Sequence, residues 1–310
     1  MLQASVSVSH DLPGILHDTK GAHTPETVKS FNRAYIEASD QNTRAVLENA
    51  FMWPTPVKLT VCFSGGVKEV QAKIAAAMKE WAALTSGRLE FEFGLSNDTF
   101  KKCDGVTKYN IRIGFVKGDG HWSYIGTIGE TVFPENTMNL DFDSDSGLED
   151  QKIREITLHE TGHALGFHHE HQSPAAPCKN WAWNRILTMY PWRGETEEER
   201  RREMEDNLKK LSNQVLSSGQ HAYSYTTYDP QSIMHYSFPS DMFTDGNKNV
   251  CHVPQATGLS PVDMQAVKDT YATQRAKGQK TKSIEALLAK EQFPSIRELL
   301  NMQKQLFPGE

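Results

Sequence analysis

The chain has 310 residues, of which 38% are hydrophobic and 23% are charged, and its formal net charge at pH 7 is −6. An acidic chain without a basic cluster argues against nucleic acid or an anionic membrane as its main partner. No apolar run approaches the roughly 20 residues that a membrane-spanning helix needs. We therefore expect a globular protein that binds neither nucleic acid nor membrane. Its length allows one large domain or two smaller ones.

The first 50 residues are predicted to form an N-terminal extension. Thr24, Pro25 and Glu26 have the order of a helix cap, a first-turn proline and an acidic residue, so a short helix is expected after them. The segment lacks the basic stretch and apolar core that are typical of a secretory signal. A plain extension and a pro-segment that blocks a downstream site are both open interpretations.

From residue 51 onward the sequence shows both strand and helix patterns. Residues 57–63, 89–93 and 109–115 alternate in the way of strands bounded by turn residues. Between the first two, apolar residues recur every three or four positions over 67–84, which predicts an amphipathic helix. This mixture of elements indicates an α+β domain.

The strongest functional signal is the segment 159–170, which reads H-E-T-G-H-A-L-G-F-H-H-E. Residues four apart lie on one face of a helix, so His159 and His163 can direct two imidazoles at one ion. Gly166 can end that helix in a left-handed conformation, after which His169 can return with a third nitrogen. Three histidines leave one tetrahedral position open, as in catalytic zinc sites. We predict one zinc ion per chain.

Other residues of this region bear on the same site. Glu160 can reach a water on the ion without binding the ion, as a general base would. His168 and His171 are competitors for the third ligand position, and the spacing favours His169. Residues 232–236, which read S-I-M-H-Y, supply the Met-turn that the elongated histidine motif of metzincins requires.

The remaining elements follow the histidine motif along the chain. A tryptophan-rich segment is predicted to pack a second subdomain, and a charged helix is expected to begin at the cap residue Thr196. Another helix is expected after Ser260. A helical tail near the end is expected to dock on the domain, and binding of a partner is the alternative. We also predict a Cys178–Cys251 disulfide, because these cysteines follow the histidine motif and the Met-turn.

The combination of G-F-H-H-E after the second histidine with S-I-M-H-Y resembles the astacin family of zinc endopeptidases. The H-Q-S-P that follows Glu170 is similar to the microbial branch, because animal members have an Arg- and Asp-containing run there. The resemblance covers residues 51–271. It implies a metzincin-like catalytic domain with a twisted five-stranded mixed sheet, an active-site helix above the cleft, and an irregular, mostly helical lower subdomain with the Met-turn.

The resemblance also implies roles for particular residues. Residues 122–126 look like the edge strand to which substrate adds, and residues 137–140 look like the strand before the active-site helix. Tyr236 stands where a phenol binds the resting zinc and moves to the oxyanion. Met234 stands where a methionine forms an apolar floor beneath the metal. Asp40 would be the aspartate that blocks zinc in a zymogen, although no matching motif surrounds it.

Together these features predict a monomeric zinc metalloendopeptidase that acts on protein or peptide substrates through a zinc-bound water, with Glu160 as general base. The predicted domains are an extension (1–50), the peptidase domain (51–275), and a linker with a helical tail (276–310). A thermolysin-like hydrolase is an alternative, but it would need a glutamate ligand on a second helix. A non-catalytic binding protein on a peptidase scaffold is another, and it would be expected to lack Glu160.

The compartment is the least determined property of the chain. Astacins are mostly secreted, so the resemblance implies an extracellular protein. An intracellular protein is the alternative, because no signal peptide is visible in the sequence.

Overall fold

The computed structural model describes most of the predicted peptidase domain and part of the tail. The described residues are 51–94, 99–142, 149–190, 192, 194–210, 228–271, 284–285, 288–289 and 294–306. The N-terminal extension with Asp40, and the linker before the tail, lie outside these ranges. The predictions for those segments therefore stay predictions.

Five strands form one mixed sheet in the order β2–β1–β3–β5–β4. The strands are β1 (Val57–Phe63), β2 (Leu89–Glu92), β3 (Ile111–Gly114), β4 (Trp122–Ser123) and β5 (Met138–Asn139). The strands β1, β2, β3 and β5 run parallel to one another, whereas β4 pairs antiparallel with β5 at the edge. The expected five-stranded mixed sheet, with its edge strand and the strand before the active-site helix, is confirmed.

Two helices pack together against this sheet. They are α1 (Lys68–Ala83) and α2 (Asp150–Ala164). The Trp81 indole of α1 donates a hydrogen bond of 3.0 Å to the Leu158 carbonyl of α2, so the two helices are joined inside an apolar core. Trp53, which precedes β1, donates in the same way to the carbonyl of Ala164 at 2.8 Å. These contacts hold the carboxyl end of α2 in one position.

The chain after α2 forms a second, more irregular layer with its own core. Its helices are α3 (Trp183–Met189) and α4 (Glu197–Leu208). Trp181, Met204 and Phe238 are buried here, with Trp183 and Trp192 packed against the cluster, so the predicted packing role of the tryptophans is confirmed. The α4 cap is also as predicted, because Thr196 and Glu199 form a reciprocal capping box.

The last described elements are α5 (Pro261–Tyr271) and α6 (Pro294–Leu306). The Tyr271 hydroxyl donates to the Leu165 carbonyl, which ties α5 to the residues just after α2. The tail helix α6 contacts the turn at Gly126–Thr131, so the predicted docking of the tail is confirmed. Within the described part of the chain, no helix combines the length and hydropathy of a membrane span.

Candidate active site

Helix α2 carries the first two histidines and the glutamate of the motif. His159 and His163 lie one turn apart on its buried face, with ring centroids separated by 4.9 Å. Glu160 lies between them in sequence and is 2% exposed. The helix therefore places two imidazoles and one carboxylate in a region from which water is largely excluded.

Gly166 ends α2 and reverses the chain. Its φ is +96°, in the region that favours glycine, and a side chain there would collide with the sulfur of Met52. The Phe167 amide donates to the Gly162 carbonyl and the Gly166 amide donates to the His163 carbonyl, which is the Schellman pattern. This reversal brings His169 back towards the face of α2.

The side chains of His159, His163 and His169 converge. Each offers one ring nitrogen to a group in which these atoms all lie within 4.8 Å of one another. The Nε2 atoms of His163 and His169 are 3.1 Å apart. Neither His168 nor His171 belongs to this group, and the Nε2–H of His171 donates instead to the Asn207 carbonyl at 2.8 Å.

The other ring nitrogen of each converging histidine is held by an acceptor. Nδ1 of His159 donates to the Ile233 carbonyl (2.7 Å), and Nδ1 of His163 donates to the Phe167 carbonyl (2.8 Å). Nδ1 of His169 lies 3.3 Å from Oε1 of Gln172. With the proton on Nδ1, the Nε2 lone pairs face one another, and a cation between them removes that repulsion. The donor set therefore fits a metal ion.

Burial favours the neutral form of these imidazoles, which is the form that binds metals. Desolvation, followed by the neighbouring histidines, lowers the pKa of His163 and His169 well below the usual value. Desolvation likewise lowers the pKa of His171 to about 3.

The Met-turn lies directly beneath this histidine group. The Met234 carbonyl accepts a hydrogen bond of 2.9 Å from the Glu170 amide, next to His169. A side chain added at Gly162 would collide with the Met234 sulfur, so this sulfur packs against α2 between the turns that carry His159 and His163. Tyr236 stacks above the group, with its ring centroid 4.1 Å from that of His169 and 5.6 Å from that of His159.

Comparisons with known proteins agree with this geometry. The model of the astacin peptidase family matches residues 47–177. Over these residues the chain is similar to astacin peptidases. A solved structure titled "Structure of myroilysin" is 29% identical, covers 73% of this chain and 98% of its own, and superposes with a TM-score of 0.59. A second, "Crystal structure of myroilysin", is 28% identical over 72% of this chain and 86% of its own, with a TM-score of 0.51. No curated protein matches by sequence.

The family resemblance predicted from the sequence is thus confirmed, and with it the metzincin-type fold. The similarity to astacin peptidases over these residues supports a metalloendopeptidase.

Two residues that support the histidine group and the Met-turn were not singled out as such in the sequence. Asp263 lies in the first turn of the helix that was expected after Ser260, and it accepts from the Ser260 amide. Its carboxylate also accepts from the Ser232 hydroxyl (2.6 Å) and the Ile233 amide (2.8 Å), so it anchors the Met-turn. Gln172 holds the ring of His169, and its position three residues after that histidine was the available signal.

The structure contains two disulfides. Cys178 is bonded to Cys251, which is the pairing expected from the sequence, and Cys62 is bonded to Cys103. The first closes a loop with a sequence separation of 73 and staples the second core. Because a cross-link of this length restricts the unfolded chain, replacing both Cys178 and Cys251 with alanine is expected to lower the free energy of unfolding by about 4 kcal/mol.

Denaturant unfolding of the double variant and the wild type measures this loss. A non-reducing peptide map of the wild type is the control and should recover the two cysteine peptides as one linked species. Free thiols at both positions, or equal unfolding free energies, would contradict the pairing.

Proposed function

We propose that the chain is a zinc endopeptidase in which His159, His163 and His169 hold one zinc ion and Glu160 is the general base. The observation that carries this proposal is the convergence of three Nε2 atoms whose Nδ1 atoms are all held by acceptors. When bound, zinc supplies a Lewis acid that lowers the pKa of a water towards about 7 and polarises a carbonyl.

Glu160 follows the first histidine on α2 and is buried beside the group. Its carboxylate accepts the proton of the attacking water and then delivers it to the leaving amine. Its surroundings support this role, because a low-dielectric site strengthens the interaction of a carboxylate with a developing positive charge. A binding protein on the same scaffold would have no need of a carboxylate at this position.

Tyr236 is the proposed donor to the oxyanion. Its ring centroid lies 4.1 Å from that of His169 and the residue is 8% exposed, so the phenol is buried beside the histidine group. The phenol can donate a hydrogen bond to the negative charge that develops on the carbonyl oxygen. Met234 supplies no donor to the group and packs beneath it as an apolar floor.

The outer edge of β4 is the proposed binding line for the substrate backbone. On its inner side β4 pairs with β5, and no other described strand pairs with its outer side. An extended peptide can add there through main-chain hydrogen bonds.

The proposed catalytic unit is residues 51–275, which the extension precedes and the tail follows. We expect the protein to be a monomer.

Removal of the metal tests the proposal. We expect hydrolysis of casein by the purified protein to cease after dialysis against a chelator, because the Lewis acid is lost, and to return when zinc is added back. Magnesium is the control, since a set of three imidazoles does not suit it. Cleavage that is unaffected by the chelator, or no cleavage by protein that contains zinc, would contradict the proposal.

A further inference from the structure

The tail helix α6 docks through a buried polar pair. Gln303 is 0% exposed, and its side-chain amide donates to the Thr127 carbonyl at 2.8 Å. The Thr127 hydroxyl donates back to the Gln303 side-chain oxygen, also at 2.8 Å. A buried amide that is satisfied as donor and acceptor by one residue fixes both partners, because leaving either group unpaired is costly.

Thr127 lies in the turn that directly continues the edge strand. β4 ends at Ser123, and the turn Gly126–Thr131 begins three residues later. Gly126 has a φ of +49°, and a side chain there would collide with the Phe51 carbonyl and lie next to Gly166. The turn therefore contacts α6 on one side and, on the other, the chain reversal at Gly166 that leads to His169.

The direction of the strand identifies which part of a substrate meets this turn. Antiparallel pairing is the more stable ladder, and β4 already pairs in that way with β5. A substrate added antiparallel to β4 has its amino-terminal residues next to the carboxyl end of β4. That end leads through Tyr124 and Ile125 to the turn held by Gln303.

We propose that Gln303 is a positioning residue that holds the turn after the edge strand, and thereby determines affinity for substrate residues on the amino-terminal side of the cleaved bond. This inference rests on the proposed peptidase function. The helix that carries Gln303 lies beyond the residues matched by the astacin family model. The contact between Gln303 and Thr127 therefore depends on this chain's tail.

The test compares two peptide substrates in the full-length protein. The short peptide has one residue, with a blocked amino group, before the cleaved bond. The extended peptide has several more residues on the amino-terminal side of that bond. For Gln303→Leu, we expect KM for the extended peptide to rise about tenfold, the change that corresponds to about one hydrogen bond, with kcat unchanged. Both constants for the short peptide are expected to stay at the wild-type values.

The control is Gln305→Leu, the same change at an exposed position of the same helix, which should alter neither substrate. Thr127→Val removes the hydroxyl partner and should raise KM for the extended peptide in the same way. Thr127→Ser keeps a hydroxyl and should keep the wild-type KM. Because the two side chains act as a pair, the double variant should be no worse than Gln303→Leu alone.

Two results would overturn the inference. One is an unchanged KM for the extended peptide in Gln303→Leu. The other is an equal loss for both peptides together with a lowered melting temperature, which would make the contact purely structural. Inactivity of the wild type towards both peptides would instead refute the proposed function itself, and this inference with it.

Discussion

Replacing Glu160 with glutamine is expected to lower kcat by about 10²–10⁴-fold while the protein keeps its zinc. Glutamine has nearly the same shape, but its amide cannot accept the proton of the attacking water. None of the three converging imidazoles is altered, so metal content should match the wild type. The measurement is steady-state hydrolysis of a peptide together with metal analysis of the same sample.

The matched control for this variant is Glu155→Gln. Glu155 is also buried on α2, but its carboxylate accepts from the Gln151 side chain at 2.9 Å and lies one turn before the motif. We expect Glu155→Gln to retain activity within about twofold of the wild type, since a hydrogen bond outside the histidine group contributes little to the reaction. A Glu160→Gln variant with more than about a tenth of the wild-type kcat would refute the general-base role.

The second large effect is expected for His169→Ala. Its Nε2 lies 3.1 Å from that of His163, so removing it opens the donor group, and we expect zinc affinity to fall by more than about 100-fold. Activity should be lost at the same time. Zinc content after dialysis against a series of buffered zinc concentrations gives the affinity directly.

His168→Ala and His171→Ala are the matched controls, because they remove neighbouring imidazoles that lie outside the donor group. We expect both to keep near-wild-type zinc affinity, since the Nε2–H of His171 already donates to the Asn207 carbonyl. Circular dichroism checks that each variant is folded. The ligand assignment would be wrong if His168→Ala lost zinc as strongly as His169→Ala.

Much of the fold could be predicted because it depends on local patterns. The strands β1, β2 and β3 and the helix α1 follow alternation or helical spacing over a few residues, and their observed bounds differ from the predicted ones by at most two residues. The Schellman end of α2 could also be anticipated, since a glycine at that offset is the usual residue for a left-handed helix end.

The long-range contacts that support the site could not be predicted from local patterns. Asp263 reaches the Met-turn across 30 residues of sequence, and Gln303 reaches Thr127 across 176. Each side chain belongs to a helix of its own, and the local sequence pattern of that helix carries no information about a distant partner. The Cys62–Cys103 pairing is of the same kind, since four cysteines permit three arrangements.

The sequence by itself determined the first strands, the helix α1 and the residues of the histidine motif, because helix period and turn geometry are properties of adjacent residues. The five-stranded mixed sheet was implied by the resemblance to astacins. Only the tertiary structure decided that three imidazoles meet with their Nδ1 atoms held, that Asp263 anchors the Met-turn, and that α6 clamps the turn after β4. The reason is physical: these contacts join segments far apart in the chain, and they exist only after the apolar cores have brought those segments together.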